Sequence, residues 1–159
     1  MKYLVSVSGG AGSTLAAHKT VEKHGLENVD FIFADTNTED ETLYELLDKL
    51  EKNLKPIIRL NDGRDIWDCF DDHGIIRTPT GACKASLELK QKPIAKWVKE
   101  NCDENTIIVS GLDWTEDVRI KRFDNKWKPY ETYHPMAEDY KMDLCNMKRD
   151  LGDLGYTVQ

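Results

Sequence analysis

A short apolar run, Tyr3 to Val7, breaks straight into Ser8-Gly9-Gly10-Ala11-Gly12-Ser13-Thr14, and a helical pattern follows at once. A buried strand that empties through glycines into a helix is how a parallel α/β sheet begins. The rest of the chain keeps the alternation. A helix is predicted from Ser13 to His24, with Gly25 to end it, and Val29 to Ala34 reads as a second strand. Thr38 to Glu41 has capping-box spacing ahead of Leu43, Leu46, Leu47, Leu50 and Leu54, which recur at helical intervals. Ile57 to Leu60 is a third strand. Residues 61–82 are mixed, with a helical turn or two around Ile66 to Phe70 and a loop holding Gly74, Pro79 and Gly81. Pro93 suits the first turn of a helix carrying Ile94, Trp97, Val98 and Cys102 on one face. Thr106 to Val109 is a fourth strand, and a polar stretch then runs to Tyr133. Asp139 to Leu154 is expected as a closing helix with Leu144, Met147, Leu151 and Leu154 inward. The pattern predicts a doubly wound parallel sheet of about five strands, in one domain over residues 1–159.

The charge balance narrows the partners. A formal net charge of -7 argues against generic nucleic-acid binding and against anionic membranes, both of which call for a basic face. No run approaches the roughly 20 apolar residues of a membrane span. The four cysteines, Cys69, Cys83, Cys102 and Cys145, are widely spaced, which fits reduced thiols in a cytoplasm and gives no support for zinc or an iron–sulfur cluster. The oligomeric state is left open, a homo-oligomer included.

The loop after the first strand is the chief candidate site. Glycines let the backbone turn tightly and bring its N–H groups close to an anion, while the helix N-terminus adds positive potential. Ser8, Ser13 and Thr14 can add hydroxyl donors. The loop is not a Walker A motif, since the terminal Gly-Lys-Ser/Thr is absent, and it lacks the third glycine of a dinucleotide fingerprint. On its residues alone it could equally be a small-residue turn.

Four segments, in order, carry a family resemblance. Ser8-Gly9-Gly10-x-x-Ser13 resembles the SGGxDS loop of PP-loop ATP pyrophosphatases and their relatives, the phosphoadenylyl-sulfate (PAPS) reductases, which are adenine nucleotide alpha hydrolase-like proteins. Phe33-Ala34-Asp35-Thr36 is similar to the family's Asp-Thr-Gly element at the end of strand two. Cys83-Lys84 through Leu89-Lys90 to Pro93 and Trp97 resembles a reductase-type stretch, and Gly111-Leu112 with Glu116 and Arg119 resembles the segment after strand four. The resemblance implies a strand order of 3-2-1-4-5 and an ATP-binding or related adenine-nucleotide site. That implied site comprises Ser8, Gly9, Gly10, Ala11, Gly12, Ser13, Thr14, Asp35, Thr36, Lys90, Gly111, Glu116 and Arg119. Asp35 would contact ribose or a metal, or else cap the following helix. Arg119, in the basic group with Lys121 and Arg122, would hold a sulfate or terminal phosphate. Arg77 and Lys84 would form a lid, and Trp114 is the tryptophan placed to stack on a base.

The chain departs from the family at two points. Family pyrophosphatases carry an Asp immediately before the second Ser; Gly12 stands there, leaving Mg²⁺ one oxygen ligand fewer, so little Mg²⁺ dependence is expected. Reductase-type members vary at that position. They use a mobile C-terminal cysteine, however, and here the last one, Cys145, falls within a predicted helix. Cys83 beside Lys84 is the thiol with a reactive setting, and His18 and His24 are expected on the exposed side of the first helix. His73 and His134 lie in loops, with no partner visible in the sequence. Three functions stay open: PAPS reductase-like chemistry on an adenine nucleotide, ATP cleavage that adenylates an acceptor, and non-catalytic nucleotide binding.

Overall fold

The computed structural model describes residues 2–158. One sheet holds β1 (Tyr3–Ser6), β2 (Val29–Asp35), β3 (Ile58–Asn61), β4 (Ile107–Val109) and β5 (Glu131–Tyr133). All pairings are parallel and the order is β3-β2-β1-β4-β5. Strand β1 is central, with Tyr3 level with Val29 on one side and Ile107 on the other.

Successive strand side chains point to opposite faces, so the apolar runs supply two cores at once. Val5, Phe31, Phe33 and Val109 face α1 (Ala11–His24), α2 (Glu41–Asn53) and α7 (Leu144–Asp153). Leu4, Ile32 and Ile108 face the other way, onto α4 (Lys92–Asn101) and α5 (Asp117–Trp127) through Val98 and Trp127. Two shorter helices, α3 (Ile66–His73) and α6 (Pro135–Glu138), complete the set.

Several local expectations are corrected. Helix α1 starts at Ala11 rather than Ser13, with Gly10 as its N-cap. The cap of α2 is Asp40, whose carboxylate accepts from the N–H of Thr42; Thr38 instead bonds to Thr36. The polar stretch after β4 contains all of α5 and β5. The closing helix begins only at Leu144, capped by Asp143, and Leu144 and Leu154 are exposed while Met147 and Leu151 are buried. A ten-residue helix offers one narrow inward stripe, and Met147 and Leu151, one turn apart, fill it. His18 and His24 are half-buried, the first bonded to the Tyr156 hydroxyl and the second stacked on Tyr3.

Pro93 does not open a helix from loop. Ser86–Gln91 is a π-helical turn that runs directly into α4, and the ladder changes register there, with the Lys92 N–H donating to Leu87. π turns are rare and frequently sit at functional sites. This one is anchored by Glu88, whose carboxylate is buried and accepts from Lys92 (2.5 Å) and pairs with Lys84 (3.1 Å).

The start of α1 lies against the segment after β4 with no side chain between them. A Cβ on Gly12 would overlap the carbonyl oxygen of Gly111, and a Cβ on Gly111 would overlap the backbone of Gly12 and Ser13. Gly9, at φ +79, has Leu43 where its Cβ would go, 2.6 Å from Cγ. Gly10 is different, since its nearest neighbour would be the Ser8 hydroxyl at 3.6 Å.

Two predictions come from this packing. Gly111→Ala should destabilise the fold by about 2 kcal/mol in chemical denaturation, as overpacking against fixed backbone does. Gly152→Ala, inside α7 with open space around its Cβ, should instead stabilise by roughly 0.5–1 kcal/mol. Equal effects at the two positions would refute the close contact. The second concerns Glu88, whose hydrogen bonds from Lys92 and Lys84 hold its carboxyl down at about 2, against an ordinary 4.5. A depressed carboxyl stabilises above its unfolded value and loses that contribution as pH falls through its folded value. Wild type should therefore lose its thermal advantage over Glu88→Gln as pH drops from 4.5 towards 2. A pH-independent difference would show that the ionised pair contributes nothing.

Candidate functional site

A cleft of about 650 Å³ opens over the carboxyl ends of β1 and β4, the crevice where open α/β sheets bind ligands. Ser6, Ser8, Gly10, Gly12 and Ser13 form one wall, and Ser110, Gly111, Asp113 and Glu116 another. Arg119, Arg122, Phe123 and Lys126 of α5 close the third side. A smaller chamber of about 160 Å³ adjoins it, sharing Ser6, Ser8, Gln91, Phe123 and Lys126 and walled by Phe33, Ile94 and Trp127. A separate hollow on the far side of the loop is lined by Leu43, Lys49 and Tyr156.

The loop is held open from within. The Ser8 N–H donates to Ser13 Oγ (3.0 Å), and the Ser13 hydroxyl donates in turn to the Gly10 carbonyl (3.2 Å). Thr14 Oγ1 also donates to Gly10 (2.9 Å); Thr14 is fully buried and does not line the cleft. The first three N–H groups of α1, on Ala11, Gly12 and Ser13, have no intrahelical acceptor, because the ladder begins with Thr14 bonding to Gly10. Those of Gly9 and Gly10 also have no acceptor among the described residues. Such a row of free donors at the start of a long helix is a favourable setting for an anion.

The other expected residues divide. Gly111, Glu116 and Arg119 line the cleft, and Lys90 lines the smaller chamber. Arg119 is ion-paired with Glu116, one turn back, and Lys90 with Glu39 at 2.6 Å. Asp35 accepts from the Asn37 N–H (2.9 Å) and the Tyr44 hydroxyl (2.6 Å). Burial and that carboxylate push the Tyr44 phenol up to about 12. Thr36 bonds to Glu39, and Asp35 and Thr36 lie outside both chambers. Lys84 is paired with Glu88, Arg77 bonds to the Gly81 carbonyl, and Trp114 is exposed; none of these three reaches the cleft.

Reading the sequence left out several of the residues that the cleft brings together. Phe123 and Lys126 recur with the expected Arg119 and its basic neighbour Arg122 at helical spacing, a signal available only once α5 is recognised. Arg122 and Lys126 form no ion pair among the described residues, and the Lys126 ammonium donates to Gln91 (3.1 Å). Partial burial lowers its pKa, with no carboxylate opposing the shift. The indole N–H of Trp127 is buried and has no hydrogen-bond partner among the described residues. Ser110 is joined to His134, which in turn reaches Asp124.

A metal fits poorly at the position where the family carries Asp. With Gly12 against Gly111, that site has no room for a carboxylate. No group of three or more His, Cys, Asp or Glu is placed to hold a metal among the described residues. Nor is any helix among them long and apolar enough to cross a membrane.

No family model and no curated protein sequence matches the chain. A solved structure does: PAPS reductase from Candida auris, in a phosphate complex, is similar at a TM-score of 0.64 and 15% identity, covering 99% of this chain and 79% of that one. With the strand order β3-β2-β1-β4-β5, the chain has the adenine nucleotide alpha hydrolase-like fold of PAPS reductase.

Proposed function

We propose that the chain binds an adenine nucleotide across the β1/β4 crevice and acts at its phosphate end. The observation that carries this reading is the row of unpartnered N–H groups from Gly9 to Ser13, of which Gly10, Gly12 and Ser13 line the cleft with two cations of α5 that lack acidic partners. Arg122 offers a planar fork for phosphate oxygens and Lys126 a point charge. The base fits the smaller chamber. Its walls are aromatic and aliphatic, with Phe33, Phe123 and Trp127 placed to pack against a planar ring. Ligand sites commonly combine an apolar lining with a few placed polar groups.

Between the two chemistries of the fold's relatives, the cleft favours reaction at phosphorus over thiol-dependent reduction. None of the four cysteines lines it: Cys69 is buried in α3, Cys102 follows α4, Cys83 is exposed, and Cys145 is exposed on α7 beside Leu144, which does line the cleft. Magnesium is not required to hold the anion, because the backbone donors and α5 already supply positive potential. Binding is expected to depend little on Mg²⁺.

Gly10→Val tests the reading, since the position is extended (φ -80) and its Cβ has space, so the fold tolerates the change while the side chain covers the free donors. Calorimetry with ATP, AMP and PAPS should show at least a tenfold loss of affinity, about 1.4 kcal/mol, with the melting temperature nearly unchanged. Undiminished affinity would make the loop a mere connector between β1 and α1.

A further inference from the structure

We propose that Ser110 is a nucleophile, activated by His134 and oriented by Asp124, aimed into the same cleft. Its chemical target, a phosphorus centre, rests on the nucleotide reading above; its activation does not.

The three residues come from separate elements. Ser110 follows β4 directly, His134 follows β5, and Asp124 lies on α5. Ser110 Oγ is 2.6 Å from His134 Nδ1, and His134 Nε2 is 2.7 Å from Asp124 Oδ1. Ser110 and His134 are 5% and 3% exposed, so water does not compete for the bonds, yet Ser110 lines the cleft.

The direction of the bonds follows from what each group can do. Burial works against ionising Asp124, but hydrogen bonds from Thr132 and His134 outweigh it and hold the carboxyl below its usual range. An ionised carboxylate only accepts, so Nε2 must carry a proton and donate to it. In the neutral ring Nδ1 is then the acceptor, and the Ser110 hydroxyl donates to it. With the two ring nitrogens exchanged, these are the roles of a serine–histidine–aspartate triad, in which a histidine takes a proton from a serine and a carboxylate fixes the tautomer. Thr132 Oγ1 donates to the same Asp124 oxygen at 2.6 Å and holds the carboxylate in place.

The surroundings suit attack on phosphorus. Gly111, the next residue, touches the backbone of Gly12 and Ser13, so Ser110 sits one residue from the free donors of α1. In the proposed step Ser110 Oγ forms a bond to phosphorus while a phosphoanhydride P–O bond breaks. The hydroxyl proton moves to His134 Nδ1 and then to the departing phosphate oxygen. Water then attacks the serine ester and gives its proton to Nδ1, and Ser110 Oγ leaves with that proton. A tie between β4, β5 and α5 would use the same bonds but would not make Ser110 react.

Diisopropyl fluorophosphate separates the two, because it needs an activated serine and no nucleotide. Attack forms the Oγ–P bond, expels fluoride and passes the proton to His134. Mass spectrometry of the full-length protein should find one adduct, on Ser110, that is absent from Ser110→Ala and from protein unfolded in urea. Asp124→Asn, which keeps the shape and an acceptor oxygen, should label at least tenfold more slowly at an unchanged melting temperature. No adduct on Ser110, an adduct on Ser8 or Ser13 instead, or an undiminished rate in Asp124→Asn would overturn the proposal. Labelling that proceeds as expected but is not slowed by saturating ATP would keep the activated serine and remove the nucleotide from its cleft.

Discussion

The backbones of Gly12 and Gly111 lie so close that neither residue can carry a side chain. That contact fixes the start of α1 against the end of β4, and the rest of the site is arranged around it. It joins two walls of the cleft, brings Ser110 beside the first turn of α1, and leaves the N–H groups of that turn without a backbone acceptor among the described residues. It also gives the missing carboxylate a physical cause. The position where PP-loop pyrophosphatases carry Asp is sterically closed here, since a Cβ on Gly12 would overlap the Gly111 carbonyl oxygen.

The cations are sorted by their partners. Arg119, the arginine singled out by family resemblance, is neutralised by Glu116, and Lys90 by Glu39. Arg122 and Lys126, on the same face of α5, carry no such pairing among the described residues. Exposed pairs are worth little to stability, so releasing Arg119 from Glu116 to a ligand would cost the fold almost nothing.

The strand–loop–helix opening and the parallel strand–helix alternation were legible because short-range patterns carry them, whereas the strand order came from the family resemblance. Val5, Ile32 and Phe33 alternate faces within continuous apolar runs, and Leu46, Leu47 and Leu50 recur at helical intervals. Helix α5 and β5 were not, for equally physical reasons. Asp117–Trp127 is mostly charged, with Phe123 and Trp127 as its inward side chains, and β5 is only three residues long. The Ser110–His134–Asp124 chain joins residues that only the closed sheet brings together, and no spacing in sequence announces it. Asp35 stands at the expected end of a strand, and what the sequence could not show is that Tyr44 and the Asn37 N–H both bond to its Oδ1.

The central claim is that phosphate binds to the free backbone donors at the start of α1, on the β4 side of the loop. Amide NMR during an ATP titration observes those N–H groups directly. The largest shifts should fall on Gly10 to Ser13, with companions at Ser110 to Leu112 and at the Trp127 indole, all sharing one binding curve. Shifts confined to Leu43, Lys49 and Tyr156, or none at saturating ATP, would contradict the account.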